Sequence, residues 1–112
     1  MSETITYDNF EKVDIRVGEI TDVQPFPRAR KPSYKIRVNF GDEFGTRWSS
    51  AQLTNYTPDE LMGRQVLAVV NFAPRNIAGF MSECLILGAP MAGGTVSLLS
   101  PTRPAVLGGK VF

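Results

Sequence analysis

Val13–Asp14–Ile15–Arg16–Val17–Gly18–Glu19–Ile20 is the stretch whose reading decides the fold. Val13, Ile15 and Val17 alternate with Asp14 and Arg16, the period of a half-buried β-strand. The next apolar residue after Val17 is Ile20, so the alternation slips by one, and Gly18 sits at the slip. A glycine inside a strand often marks a bulge or a sharp bend, because no Cβ obstructs it. A long strand bent in its middle can pair with two sets of neighbours. That is how the first strand of a small Greek-key barrel closes its sheet. An ordinary edge strand with a tolerated glycine is the other reading of the same residues.

The 112 residues suffice for one domain with a real core, not for two. The net charge of +1 gives no global field that would drive the chain onto nucleic acid or anionic lipid. The local distribution is uneven. Up to residue 24, Glu3, Asp8, Glu11, Asp14, Glu19 and Asp22 outnumber Lys12 and Arg16. Residues 25–40 then carry Arg28, Arg30, Lys31, Lys35 and Arg37 with no acid. Cys84 is the only cysteine, which suits a reducing compartment. Met1–Ser2–Glu3–Thr4 lacks the basic-then-apolar profile of a secretory leader, and no apolar run approaches the length of a membrane span. The expectation is a cytoplasmic protein that does not insert into membranes.

Outward from the opening strand, Thr6 can cap a short helix through Tyr7–Phe10. Gln24–Ser33 contains Pro25, Pro27 and Pro32 and must be a loop. In the second strand Tyr34, Ile36, Val38 and Phe40 face one way and Lys35, Arg37 and Asn39 the other. Gly41–Gly45 turns the chain, and Thr46–Ala51 returns as the third strand. Thr57–Pro58–Asp59–Glu60 carries a capping-box pattern, and Gly63 ends a helix of about one turn. Val66–Val70 reads as a strand buried on both faces, Asn71–Phe80 as a loop, and Met81–Gly88 as a fifth strand. Ala89–Gly94 reads as a linker, Thr95–Ser100 as a further strand, and Pro101–Phe112 as an extended apolar tail. This tail either wraps its own barrel or packs on a second subunit; the expectation is a second subunit, because exposed apolar tails associate.

This order predicts an all-β fold: a five-stranded OB-fold Greek-key barrel with a short helix between strands 3 and 4, plus N- and C-terminal extensions. The expected single domain spans 1–112, with its core at about 10–88 and a dimerising extension at 89–112. In that fold the ligand face is strands two and three plus the loops joining strands one and two and strands four and five. The first loop is the basic one, with Arg28, Arg30 and Lys31. The other carries Asn71, Arg75 and Asn76.

The residue inventory argues against an enzyme. There is no histidine, so neither a Ser–His–Asp nor a Cys–His arrangement can form. No cluster has metal-ligand spacing, Asp42/Glu43 and Asp59/Glu60 fit turn and cap roles, and no cofactor motif is present. A nucleic-acid reading rests on Arg28, Arg30, Lys31, Arg37 and Arg75 as phosphate contacts, with Tyr34, Trp48 and Phe72 available for stacking. Tyr34 also fits the core by its alternation, and the basic run also fits a solvated loop. A polypeptide-binding reading rests on Phe26, Phe72, Ile77, Phe80 and Met81, which fall in or beside loops. Such residues also serve as plugs packed on a barrel.

Phe10–Glu11–Lys12–Val13–Asp14–Ile15–Arg16–Val17–Gly18 resembles the opening motif of the tRNA-binding domain that some aminoacyl-tRNA synthetases carry. Tyr56–Thr57–Pro58–Asp59–Glu60–Leu61–Met62–Gly63, Val70–Asn71–Phe72–Ala73–Pro74–Arg75 and Gly79–Phe80–Met81–Ser82–Glu83 match later segments of that family in order. Phe26–Pro27–Arg28–Ala29–Arg30–Lys31–Pro32 and Ser49–Ser50–Ala51–Gln52 depart from the synthetase-attached pattern. Both are similar to the stand-alone, CsaA-type branch of the family. That resemblance implies a cytoplasmic homodimer with chaperone activity towards unfolded preproteins or extended peptides on their way to export. It also implies tRNA as a further partner.

Overall fold

A computed structural model describes residues 2–112; Met1, the head of the acidic N-terminal stretch, lies outside the described residues. The elements run α1 (Tyr7–Glu11), β1 (Ile15–Pro25), β2 (Tyr34–Asn39), β3 (Thr46–Ala51), α2 (Pro58–Leu61), β4 (Gln65–Val69), β5 (Arg75–Ile77), β6 (Phe80–Ser82), β7 (Leu85–Ile86), β8 (Gly88–Pro90) and β9 (Val96–Leu98). The main sheet has five strands in the order β3-β2-β1-β4-β7. Its ends approach each other where the Glu83 amide donates to the Trp48 carbonyl at 2.7 Å and Ser49 Oγ donates to the Cys84 carbonyl at 2.9 Å. The result is a nearly closed, OB-fold-like barrel, as expected from the strand order. No helix among the described residues is long and apolar enough to cross a membrane.

β1 serves both halves of the barrel. Ile15–Glu19 pairs with β4, and Glu19–Pro25 pairs with β2, so Glu19 sits in both ladders. The register shift lies between Ile20 and Asp22, not at Gly18. At the crossover the Ile20 amide donates to the Arg64 carbonyl and the Gly63 amide to the Ile20 carbonyl. Gly18 has a different task from the one its position suggested. A Cβ there would collide with Val38 Cγ1 and stand 2.8 Å from Phe40 Cε1. The glycine lets β1 pass directly over the β2 side chains that fill the core.

Ile20, Ile36, Val38, Phe40, Leu61 and Val66 are fully buried inside the barrel. The β2 alternation is realised as read, with Tyr34 packed against this core and its hydroxyl donating to the Tyr56 carbonyl. Thr57 and Glu60 form the reciprocal capping box, and α2 exists mainly to insert Leu61 into the barrel. Burial of that side chain contributes about 2 kcal/mol, and the cap about 1 kcal/mol. The Thr57 amide donating to Glu60 also holds the Glu60 carboxyl below its ordinary range. Thr6 caps α1 by accepting from the Asn9 amide.

Three expectations need correction. Asn71–Phe80 is not a plain loop: Arg75–Ile77 and Phe80–Ser82 form a hairpin. Its two turn residues, Ala78 and Gly79, both have positive φ, 49° and 87°, the twist-matched geometry of tight hairpins. Asn76 Oδ1 steadies the turn by accepting from the Gly79 amide. The fifth barrel strand is correspondingly short, Leu85–Ile86. Ala89–Gly94 is not only a linker, because Gly88–Pro90 pairs with Val96–Leu98. Apart from these three, the tail's backbone takes one of its two offered placements, on its own barrel, with Val106 and Phe112 left exposed: the Val17 amide donates to the Gly109 carbonyl, and the Gly108 and Val111 amides donate to the Val17 and Ile15 carbonyls. Arg16 clamps it, pairing with Asp14 at 2.6 Å, donating to the Gly108 carbonyl and lying over the Phe44 ring. The edge of β1 is thereby covered from within the chain.

Two outcomes follow. Gly18→Ala forces Val38 and Phe40 off their packing, and urea unfolding should show a loss of about 2 kcal/mol; an unchanged midpoint would contradict the close approach. Burial pushes the Cys84 thiol up to about 12. The unfolded chain therefore releases this proton first, and stability should fall as pH rises above the ordinary thiol range, by at most about 1.4 kcal/mol per unit. Native Cys84 should resist thiol reagents at pH 8 until the protein is unfolded; rapid labelling of the folded chain would contradict its burial.

Candidate ligand-binding groove

Two long connections leave the same end of the barrel. One is the basic loop after β1, and the other is the segment from Asn71 through the β5–β6 hairpin. Between them lies an open groove of about 1120 Å³, floored by the end of β3. Each wall is anchored by local chemistry. The first is held by Phe26, only 5% exposed, and by turns in which the Ala29 amide donates to the Phe26 carbonyl and Ser33 Oγ to the Lys31 carbonyl. The second is anchored by Asn71, whose Oδ1 accepts from the Asp14 amide and whose Nδ2 donates to the Lys12 carbonyl. Asn71 is therefore spent on structure. The hairpin's far end is tied to β3, where Ser82 Oγ accepts from the Ser50 amide and Glu83 Oε1 from the Trp48 amide.

Of the predicted phosphate contacts, Arg30, Lys31 and Arg75 line the groove. Arg28 is exposed on the same loop without lining it. Arg37 projects from β2 opposite Trp48 and donates to Thr21 Oγ1. Of the predicted apolar contacts, Phe72 and Ile77 line the groove, and Phe72 is 56% exposed. Met81 is exposed on β6 but does not line it. Phe26 and Phe80 pack edge-on against each other, centroids 5.4 Å apart, and Phe80 packs edge-on against Trp48 at 6.1 Å. That aromatic cluster covers the outer face of β2 and β3, so Trp48 is half-buried rather than an open stacking platform.

Sequence reasoning left out Ser50, Gln52 and Ser82, which supply polar groups along the groove. It also left out Lys35, whose ammonium lies 5.1 Å from the Phe26 ring centre and 5.0 Å from that of Phe80. Strand alternation already places Lys35 on the outer face; nothing in the sequence placed Phe80 beside it.

Electrostatically, the groove is a cationic rim around a mixed floor. Among the described residues Arg16–Asp14 is the only ion pair, so Arg30, Lys31 and Arg75 have no carboxylate partner. Glu83 is the only carboxylate lining the groove, and it is engaged by the Trp48 amide. Cys84 also lines it, but its raised pKa leaves a thiol and not a nucleophilic thiolate. The arrangement is equipped to hold an extended ligand by apolar contact, hydrogen bonds and positive charge.

Comparisons with known proteins agree with this architecture. The sequence matches the family described as "Putative tRNA binding domain" over residues 15–110. It is 37% identical over 109 residues to the methionine–tRNA ligase of Chloroherpeton thalassium, covering 96% of this chain but only 15% of the ligase. Its structure is similar to the CsaA chaperone protein of Picrophilus torridus, with 50% identity and a TM-score of 0.92 over 97% of this chain and all (100%) of that one. It is likewise similar to chaperone CsaA of Bacillus anthracis, with 40% identity and a TM-score of 0.91 over 98% of this chain and 100% of that one. The resemblance read from the motifs between Phe10 and Gly88 thus extends over nearly the whole fold, and the chain belongs to the tRNA-binding domain family.

Proposed function

We propose that this protein is a non-enzymatic chaperone that holds extended, partly apolar polypeptide in the groove, as an unfolded preprotein is held before export. The observation that carries the reading is the apolar lining of the groove. Phe72, Ile77 and Leu85 present apolar surface beside backbone and side-chain hydrogen-bonding groups, open to solvent and without a covering element. Such a mixture suits a chain that offers both side chains and peptide groups. The likeness to two CsaA chaperones along their full length supports it. A reducing, cytoplasmic setting fits the single buried thiol.

The unpaired cations Arg30, Lys31 and Arg75 favour tRNA as a second ligand of the same groove, in keeping with the family. Both readings are served by a homodimer, which presents two grooves on one particle and raises the effective concentration for a long ligand. Support for the dimer comes from the two terminal arms. They adjoin each other where Lys110 Nζ donates to the Glu11 carbonyl, and Ile5, Tyr7, Val106 and Phe112 stay exposed around them.

Titrating a reduced, carboxymethylated polypeptide and tRNA across a salt series separates the ligands. The polypeptide should bind with weak salt dependence and lose affinity in Phe72→Ser. The tRNA should bind with a steep slope that Arg75→Ala lowers by about one. Absence of polypeptide binding beside steep tRNA binding would overturn the chaperone reading. In sedimentation, the full chain should run as a dimer and Val106→Asp/Phe112→Asp as a monomer; a monomeric wild type would overturn the dimer.

A further inference from the structure

The β5–β6 hairpin is too small to hold itself in place. Each strand is three residues long, and an isolated two-stranded ribbon is at best marginal in water. Arg75, Asn76 and Met81 are exposed and the half-buried Ile77 lines the groove, while Phe80 is the side chain by which the hairpin joins the aromatic cluster of the barrel. Its partners are Phe26, at the start of the basic loop, and Trp48, on β3. Lys35 completes the arrangement from β2, its ammonium about equally close to the Phe26 and Phe80 rings. Among the described residues no carboxylate pairs with Lys35. Its charge therefore acts on the two ring faces, whose quadrupoles attract a cation.

We propose that Lys35 is a positioning residue for the groove: a cation latch that ties the basic loop and the hairpin to the same strand. Phe26 belongs to one wall of the groove and Phe80 to the other. The cation beside their edge-on contact holds both rings together, and with them the separation of Arg30 and Lys31 from Arg75. Lys35 itself does not line the groove and acts through the residues that do. The latch explains why an outward-facing strand position carries a lysine turned onto aromatic rings. It rests on the groove being the ligand site only for its effect on binding; its effect on the hairpin is independent of that reading.

The experiment uses the full chain with Lys35→Gln, Lys35→Arg and Phe80→Ala. Amide hydrogen exchange reports the hairpin, acrylamide quenching of the only tryptophan, Trp48, reports the cluster, and urea unfolding reports the barrel. In Lys35→Gln, exchange at Asn76–Met81 should rise about fivefold, as expected for losing a partly exposed cation–π contact. Trp48 should become more quenchable, the unfolding midpoint should stay near the wild type, and Lys35→Arg should restore both hairpin readouts. Phe80→Ala should loosen the hairpin further. Affinity for the carboxymethylated polypeptide and for tRNA should fall in Lys35→Gln and recover in Lys35→Arg. Unchanged exchange and quenching in Lys35→Gln would overturn the latch, as would equal failure of Lys35→Arg. A loosened hairpin with both ligands bound as in the wild type would uphold the latch and overturn the placement of ligand in the groove.

Discussion

The close passage of β1 over Val38 and Phe40 is the constraint on which the rest of the structure depends. One strand has to pair with β4 through its first half and β2 through its second. It can do so only if its backbone comes down onto the core side chains of β2, and Gly18 is the residue that permits this. Once β1 is seated, the two halves of the sheet curl towards each other. Leu61 fills the space between them, and the ends meet at Trp48 and Glu83. The C-terminal tail then binds the exposed backbone of Ile15 and Val17, which shields an edge that would otherwise invite pairing with another chain.

The groove follows from which connections emerge at one end of that barrel. The loop after β1 and the segment after β4 are distant in sequence, yet both leave beside the end of β3. Each brings an aromatic residue to the outer sheet face, and together they bring Arg30, Lys31 and Arg75 to the groove. The aromatic cluster occupies the face on which OB-folds commonly bind ligands, and the open groove lies beside it. The proposed binding in that groove draws on shape, charge and hydrogen-bonding groups.

Much of this was legible in residue order. The alternation from Tyr34 to Phe40 and the Thr57–Glu60 capping box appear in the structure as read, because each is a local pattern with a local cause. Gly18 was legible as special but not for the right reason. Its role is set by Val38 and Phe40, about twenty residues away, and no local pattern carries that contact. The hairpin escaped notice because Ala78–Gly79 lacks the Asn–Gly or Asp–Gly signature, its positive-φ alanine being steadied by Asn76. The groove was half legible. Charge and loop position pointed to Arg30, Lys31 and Arg75, but Phe26 and Phe80 are equally apolar whether they face a ligand or each other. Only packing separates them from Phe72 and Ile77.

The most direct test of the account is to map where a ligand touches the folded chain. Backbone amide resonances can be followed while the carboxymethylated polypeptide is added. The account predicts shifts concentrated at residues 29–33, 50–52 and 72–78, the two walls and floor of one groove. Shifts confined to α1 and residues 101–112, with the groove silent, would contradict it.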